Sequence, residues 1–215
     1  MKKIFTSIGI WLFLTIFAAG TVWGMPLHGR TIVIDPGHGG WDPGKQTKGF
    51  PDEKEINLAI AEVLQMYLDL SGAVVFMTRT EDRALADRKN PDLEARARMI
   101  GEMGADIFVS IHQNAFPDES VRGPQVFYYD GSEGGARLAA AIQARMEDFL
   151  EIKKPKKPKA DTNYFMLRKT QGPAVIVECG FLTSPAEATL LSCEKYQQKV
   201  AWGIYLGIVE YFTSK

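Results

Sequence analysis

Short apolar runs alternating with helical stripes constrain this fold more than anything else in the chain. Thr31-Ile32-Val33-Ile34 is β-branched throughout, the pattern of a strand buried on both faces. Ile56, Ile60, Val63, Leu64, Tyr67 and Leu68 then recur at i, i+4, i+7, i+8, i+11 and i+12, an amphipathic helix that Ser71-Gly72 ends. Val74-Val75-Phe76-Met77-Thr78 follows as a second strand. A β-α-β unit of this kind joins parallel strands through a right-handed crossover. The alternation continues with a helix opened by Pro91-Asp92, strands at 107–111 and 125–129, a helix from Ala136 to Leu150 and a last buried strand at 174–177. Tyr164 to Leu167 reads as an edge strand, and Pro185–Leu191 and Tyr196–Phe212 as closing helices. The expected fold is one α/β domain, a twisted, mostly parallel sheet flanked by helices on both faces.

The first 24 residues stand apart from that domain. Lys2-Lys3 precede an apolar run from Ile4 to Ala19, and small residues follow at Ala18-Ala19-Gly20 and Gly24. This is a secretory signal, removed or kept as a single membrane anchor, and the shortness of the run favours removal. It carries no Cys near its end that could take a lipid. Residues 25–215 are then the working domain. Loss of Lys2 and Lys3 takes the formal charge from −1 to −3, which excludes nucleic acid as a partner because that needs a concentrated basic face. Two cysteines are too few for a disulfide scaffold. Cys179 lies in an apolar run and reads as a buried free thiol. Export with little Cys suits a bacterial envelope protein. His28 reads as a solvated surface residue. The run KKPKKPK from Lys153 to Lys159 is an extended, solvated loop, with contact to an anionic polymer as its functional alternative.

Chemistry gathers at the strand ends. The first strand leads through DPG to His38, IFVSI leads directly to His112, and AVIV leads directly to Glu178. Ligand sites of open parallel sheets lie outside the carboxyl ends of the strands, so the three converge if their strands are neighbours. Glu53, just ahead of the first helix, faces the same edge, and Glu55 rivals it two residues on. Two imidazoles and a carboxylate suit one Zn²⁺ per chain with a fourth position for water. His38, Glu53 and His112 fill that role, leaving Glu178 to take and return a proton. Each has a plainer reading: Glu53 a helix-start carboxylate, His112 a hydrogen-bonded core histidine, Glu178 half of a salt bridge. Other chemistries fit worse. Gly37, Gly39 and Gly40 do not form a nucleotide-binding loop, Ser110 lacks a nucleophile elbow, and Cys179 points away from Glu178 by strand alternation.

The ordered motifs DPGHGGWDPG, EKEINL, SIHQNA and VECGFLTSPAEATLL resemble those of the zinc-dependent N-acetylmuramoyl-L-alanine amidases from Thr31 to about Phe212. The resemblance places the zinc ligands on His38, Glu53 (not Glu55) and His112 and the catalytic carboxylate on Glu178. It implies hydrolysis of the amide between N-acetylmuramic acid and L-alanine in peptidoglycan. The short leader, the lack of wall-binding repeats and the ending PAEATLLSCEKYQQKVAWGIYLGIVEYF are most similar to the sporulation branch, which acts in cortex maturation. That branch implies a product which a muramic acid deacetylase carries on to muramic-δ-lactam, and work between the mother-cell and forespore membranes. A vegetative wall amidase and a non-catalytic wall-binding relative are the competing readings. Some members also depend on an accessory lipoprotein. Thr183-Ser184 departs from the Ser-Asn that many members carry after GFL.

Overall fold

The computed structural model describes residues 24–214. The expected signal or anchor, apart from Gly24, lies outside the described residues. Six strands form one sheet: β1 (Thr31–Pro36), β2 (Val74–Met77), β3 (Ile107–Asn114), β4 (Gln125–Tyr129), β5 (Lys159–Asp161) and β6 (Ala174–Phe181). Their order is β2-β1-β3-β6-β4-β5. The first four in that order run parallel, β4 is antiparallel to β6, and β5 is parallel to β4. The helices are α1 (Glu53–Leu70), α2 (Lys89–Met103), α3 (Glu133–Phe149), α4 (Phe165–Lys169), α5 (Pro185–Leu191) and α6 (Glu194–Thr213).

Both faces of the sheet are covered, which is why its central strands need no polar alternation: every residue of β6 is buried. On one face Ile32, Ile34, Val109 and Val177 pack against α1, α3 and α6 through Leu64, Ile142 and Ile204. On the other, Val33, Phe108 and Ile176 meet Ile100 of α2 and Met166 and Leu167 of α4. The Ile56–Leu68 stripe lies inward, with Ile56, Ile60, Leu64 and Leu68 at most 1% exposed. Gly203 and Gly207 let α6 approach α3 closely, since a Cβ on Gly207 would strike the backbone of Ile142.

One element differs from the sequence reading. Residues 164–167 do not form the edge strand; Lys159–Asp161 does, and Phe165–Lys169 is a short helix. Met166 and Leu167 are neighbours and both are buried. A strand would turn them to opposite faces, whereas a helical turn buries them together. β3 and β6 also run further than the apolar runs suggested, carrying His112, Gln113 and Glu178 inside the sheet, with a register break between His112 and Asn114.

Connection β1-α1-β2 runs to one side of β1, and β2-α2-β3 returns to the other. The strand order therefore reverses between β1 and β3, opening a crevice at their carboxyl ends.

Candidate active site

The loop after β1 is held in conformations few residues adopt. His38 has φ 62, a left-handed backbone that is costly for a residue with a Cβ, and Gly39, Gly40 and Gly44 have φ 128, 57 and 69. Gly37 is required for another reason: a Cβ there would land on the His112 ring. Two buried arginines fix the loop by its carbonyls. Arg79 donates to Pro36 O at 2.9 Å and Gly37 O at 3.0 Å, and Arg96 to Pro36 O at 3.0 Å and His38 O at 2.7 Å. Lys54 Nζ adds a bond to Gly40 O at 2.9 Å. Asp35 Oδ1 anchors Arg96 in turn, at 2.8 Å.

His38, Glu53 and His112 are brought together, each offering one ligand atom, all within 4.8 Å of one another. Glu53 Oε1 lies 3.2 Å from His38 Nε2 and 3.1 Å from His112 Nδ1, and the two rings meet edge to face at 4.9 Å. Glu53 is the first residue of α1. Its Oε2 accepts from Lys45 N at 2.8 Å, and Oε1 accepts from Gln113 N at 3.0 Å and Asn57 Nδ2 at 3.3 Å. Glu55 is elsewhere, its Oε2 accepting from Asp52 N at 2.9 Å to cap the helix. The structure thus puts Glu53, and not its rival, beside the imidazoles.

His38 is oriented from behind by Asp42, whose Oδ2 lies 2.8 Å from Nδ1. Burial would lower the His38 pKa, but hydrogen bonds and charge from Glu53 and Asp42 outweigh it and raise the pKa to about 9. Burial pushes the Glu53 carboxyl up, and the two imidazoles more than reverse this, holding it well below the usual range.

Glu178 is the register partner of His112 across β3 and β6, so the two side chains share a sheet face. Oε1 accepts from the Tyr164 hydroxyl at 3.3 Å, while Oε2 is buried with no hydrogen-bond partner among the described residues. Burial raises its pKa to about 7, with the Glu53 charge adding to the rise and His112 and Tyr164 opposing it. All four residues line a cleft of about 420 Å³ whose rim carries Trp41, Lys89, Tyr164 and Phe165. Trp41 is fixed there by a bond from Nε1 to Ala86 O at 2.7 Å.

The donor set fits a metal such as Zn²⁺: two imidazole nitrogens, one carboxylate and second partners that orient His38 and Glu53. Cys179 is free, buried and pushed up in pKa by that burial, so it is no nucleophile. Asp35, Asp42, Arg79, Arg96 and Tyr164 went unread in the sequence. Asp92, Arg96 and Ile100 are the buried residues of α2 at i, i+4 and i+8, a stripe that was there to find. Tyr164 was hidden by its misassignment to a strand.

The family profile Amidase_3, described as N-acetylmuramoyl-L-alanine amidase, matches residues 32–210. The chain belongs to this family. It is 39% identical over 201 residues to the germination-specific N-acetylmuramoyl-L-alanine amidase of Bacillus subtilis, covering 90% of this chain and 84% of that one. It is 33% identical to the probable cell wall amidase LytH of Staphylococcus aureus over 88% of this chain and 60% of the relative. Among solved structures it is similar to the CwlD amidase of Clostridioides difficile in complex with the GerS lipoprotein. There the TM-score is 0.83 at 35% identity, over 87% of this chain and all of that one. The amidase family thus accounts for the α/β architecture and for the order of the motifs along it.

Proposed function

We propose that this protein hydrolyses the amide between the lactyl group of N-acetylmuramic acid and L-alanine in peptidoglycan, outside the cytoplasm, using Zn²⁺ held by His38, Glu53 and His112. The observation that carries the reading is one cleft with two imidazoles and a carboxylate within 4.8 Å, beside a buried carboxylate whose second oxygen has no partner among the described residues. Family membership supplies the bond cleaved.

Bound Zn²⁺ supplies Lewis-acid polarisation of the scissile carbonyl and lowers the pKa of water. The chain's own residues do the proton work. Glu178 Oε2 accepts a proton from the attacking water while Tyr164 holds Oε1. As the C–N bond breaks, Glu178 passes that proton to the departing nitrogen. The products are the lactyl carboxylate of muramic acid and the free amine of L-alanine. Burial keeps Glu178 near pKa 7, where one group can act as base and then as acid. Asp42 and the loop carbonyl clamps hold His38 in place throughout.

The finer role is spore-cortex maturation, where the stripped muramic acid passes to a deacetylase. Its support is the name of the Bacillus subtilis relative and similarity to CwlD across that whole chain. A lipoprotein partner enters by the same route, since CwlD was solved with GerS. The second reading, a vegetative wall amidase, is favoured by the Staphylococcus aureus relative.

Digestion of purified peptidoglycan by the metal-loaded protein tests the chemistry, with new N-terminal L-alanine as the expected product. New reducing sugar ends without new alanine amines would refute it. Muropeptide profiles of spores from a deletion strain test the role, where persistence of muramic-δ-lactam removes the cortex assignment.

A further inference from the structure

The basic run at 153–159 is an extended, largely exposed loop, as its composition suggests, and Lys156 ties it to the domain. Lys156 turns inward: its Nζ bonds the carbonyls of Arg122 and Gly123 and lies 4.7 Å over the Phe181 ring, and its backbone N–H donates to Glu147 Oε1. Pro155 and Pro158 keep the segment extended on either side of that anchor. Lys153, Lys154, Lys157 and Lys159 remain exposed, and among the described residues none of the four joins an ion pair. Two nearby acids, Glu147 and Asp161, accept from backbone amides. Glu147 Oε1 takes Lys156 N, and Asp161 Oδ1 takes Asn163 N at 2.6 Å and Tyr164 N at 3.3 Å.

This cationic edge leads toward the cleft. Lys159 begins β5, its Nζ 5.6 Å from the Phe127 ring, which packs on Tyr164 at 5.2 Å. Asn163 and Tyr164 line the cleft beside Glu178. An extended strip of seven residues is roughly 20 Å long, so charges are presented well beyond the reacting bond.

We propose that Lys153, Lys154, Lys157 and Lys159 form a strip beside the cleft that binds the carboxylate-bearing peptide stems of polymeric peptidoglycan. The proposal rests on the amidase reading and adds a preference for polymer over fragments. Exposed cations outside any ion pair attract an anionic chain without first breaking ion pairs of their own.

The test compares the parent with a quadruple variant carrying Lys153→Gln, Lys154→Gln, Lys157→Gln and Lys159→Gln, Lys156 being kept as the anchor. Substrates are polymeric peptidoglycan stripped of phosphate polymers and a soluble disaccharide–peptide unit. The ratio of kcat/KM on polymer to that on the unit should fall about tenfold, carried by KM. Salt should raise the parent's KM on polymer and leave the variant's nearly flat. An unchanged ratio, with the parent cleaving both substrates, overturns the strip alone. A parent that cleaves neither overturns the amidase reading beneath it. A fall confined to walls that retain phosphate polymers assigns the strip to those polymers and overturns the carboxylate assignment. Lys154→Glu alone, with a melting curve matching the parent's, should shift the ratio in the same direction.

Discussion

Arg96 Nη1 lies 2.8 Å from Asp35 Oδ1, and both side chains are only 2% exposed. Burial would raise the Asp35 pKa, but the Arg96 charge and hydrogen bonds from Thr78, Arg96 and Ser110 hold it at about 2. A carboxyl depressed on folding contributes stability above its unfolded pKa near 4 and loses it as pH falls toward the folded value. The contribution is of order 2 kcal/mol at neutral pH. Stability should therefore be level in this respect from about pH 5 upward and decline between about pH 4 and pH 2. Chemical denaturation across that range checks it, and Asp35→Asn should flatten the decline. Arg96→Met should cost about 3 to 5 kcal/mol, since it strands a buried carboxylate and frees two loop carbonyls.

Gly37→Ala should remove activity while leaving most of the fold. The added methyl would occupy the space of the His112 ring, and a displacement near 1 Å at such a group costs about a hundredfold in rate. Bound zinc should fall with it. Gly101→Ala is the matched control, in α2 with open space around it, and should stabilise by about 0.5–1 kcal/mol. Equal zinc content in Gly37→Ala and the parent would remove the argument.

Asp42→Ala should weaken zinc affinity about 10- to 100-fold, the usual loss when the carboxylate behind a histidine ligand is deleted. Its partner His38 Nδ1 is 2.8 Å away. Competition with a chelator reads the affinity directly. Glu55→Ala should leave it alone and cost about 1 kcal/mol of stability through the lost cap bond.

Glu178→Gln should abolish hydrolysis and keep zinc near one per chain, because the residue stands outside the three-donor cluster. Metal loss like that of His112→Ala would make it a ligand. Tyr164→Phe should lower kcat about tenfold with KM little changed, since it loses one hydrogen bond of about 1 kcal/mol to Glu178 Oε1. A change confined to KM would instead make Tyr164 a substrate contact.

The sheet, its helical cover and the convergence of His38, His112 and Glu178 were legible because apolar runs and strand-end placement are local signals. What holds them was not. Arg79 and Arg96 stand among many charged residues between 79 and 98, yet they are among the largest fully buried side chains. The loop carbonyls they clamp lie 42 to 60 residues away, and carbonyls leave no trace in a sequence. The choice between Glu53 and Glu55 needed the turn of α1, and the resemblance, not the spacing, anticipated it. The edge strand was misplaced because a four-residue apolar run carries no period long enough to separate helix from strand.

The clamps on Pro36, Gly37 and His38 are all donated by protein groups, with Arg96 held in turn by Asp35 and Arg79 bonded also to Lys54 O. Their grip on the loop does not wait for an ion, unlike small zinc modules that stay unfolded until metal arrives. On the zinc reading proposed above, the ion would enter a loop that is already held in place. Metal removal should then silence the protein while the loop, and with it the fold, stays formed.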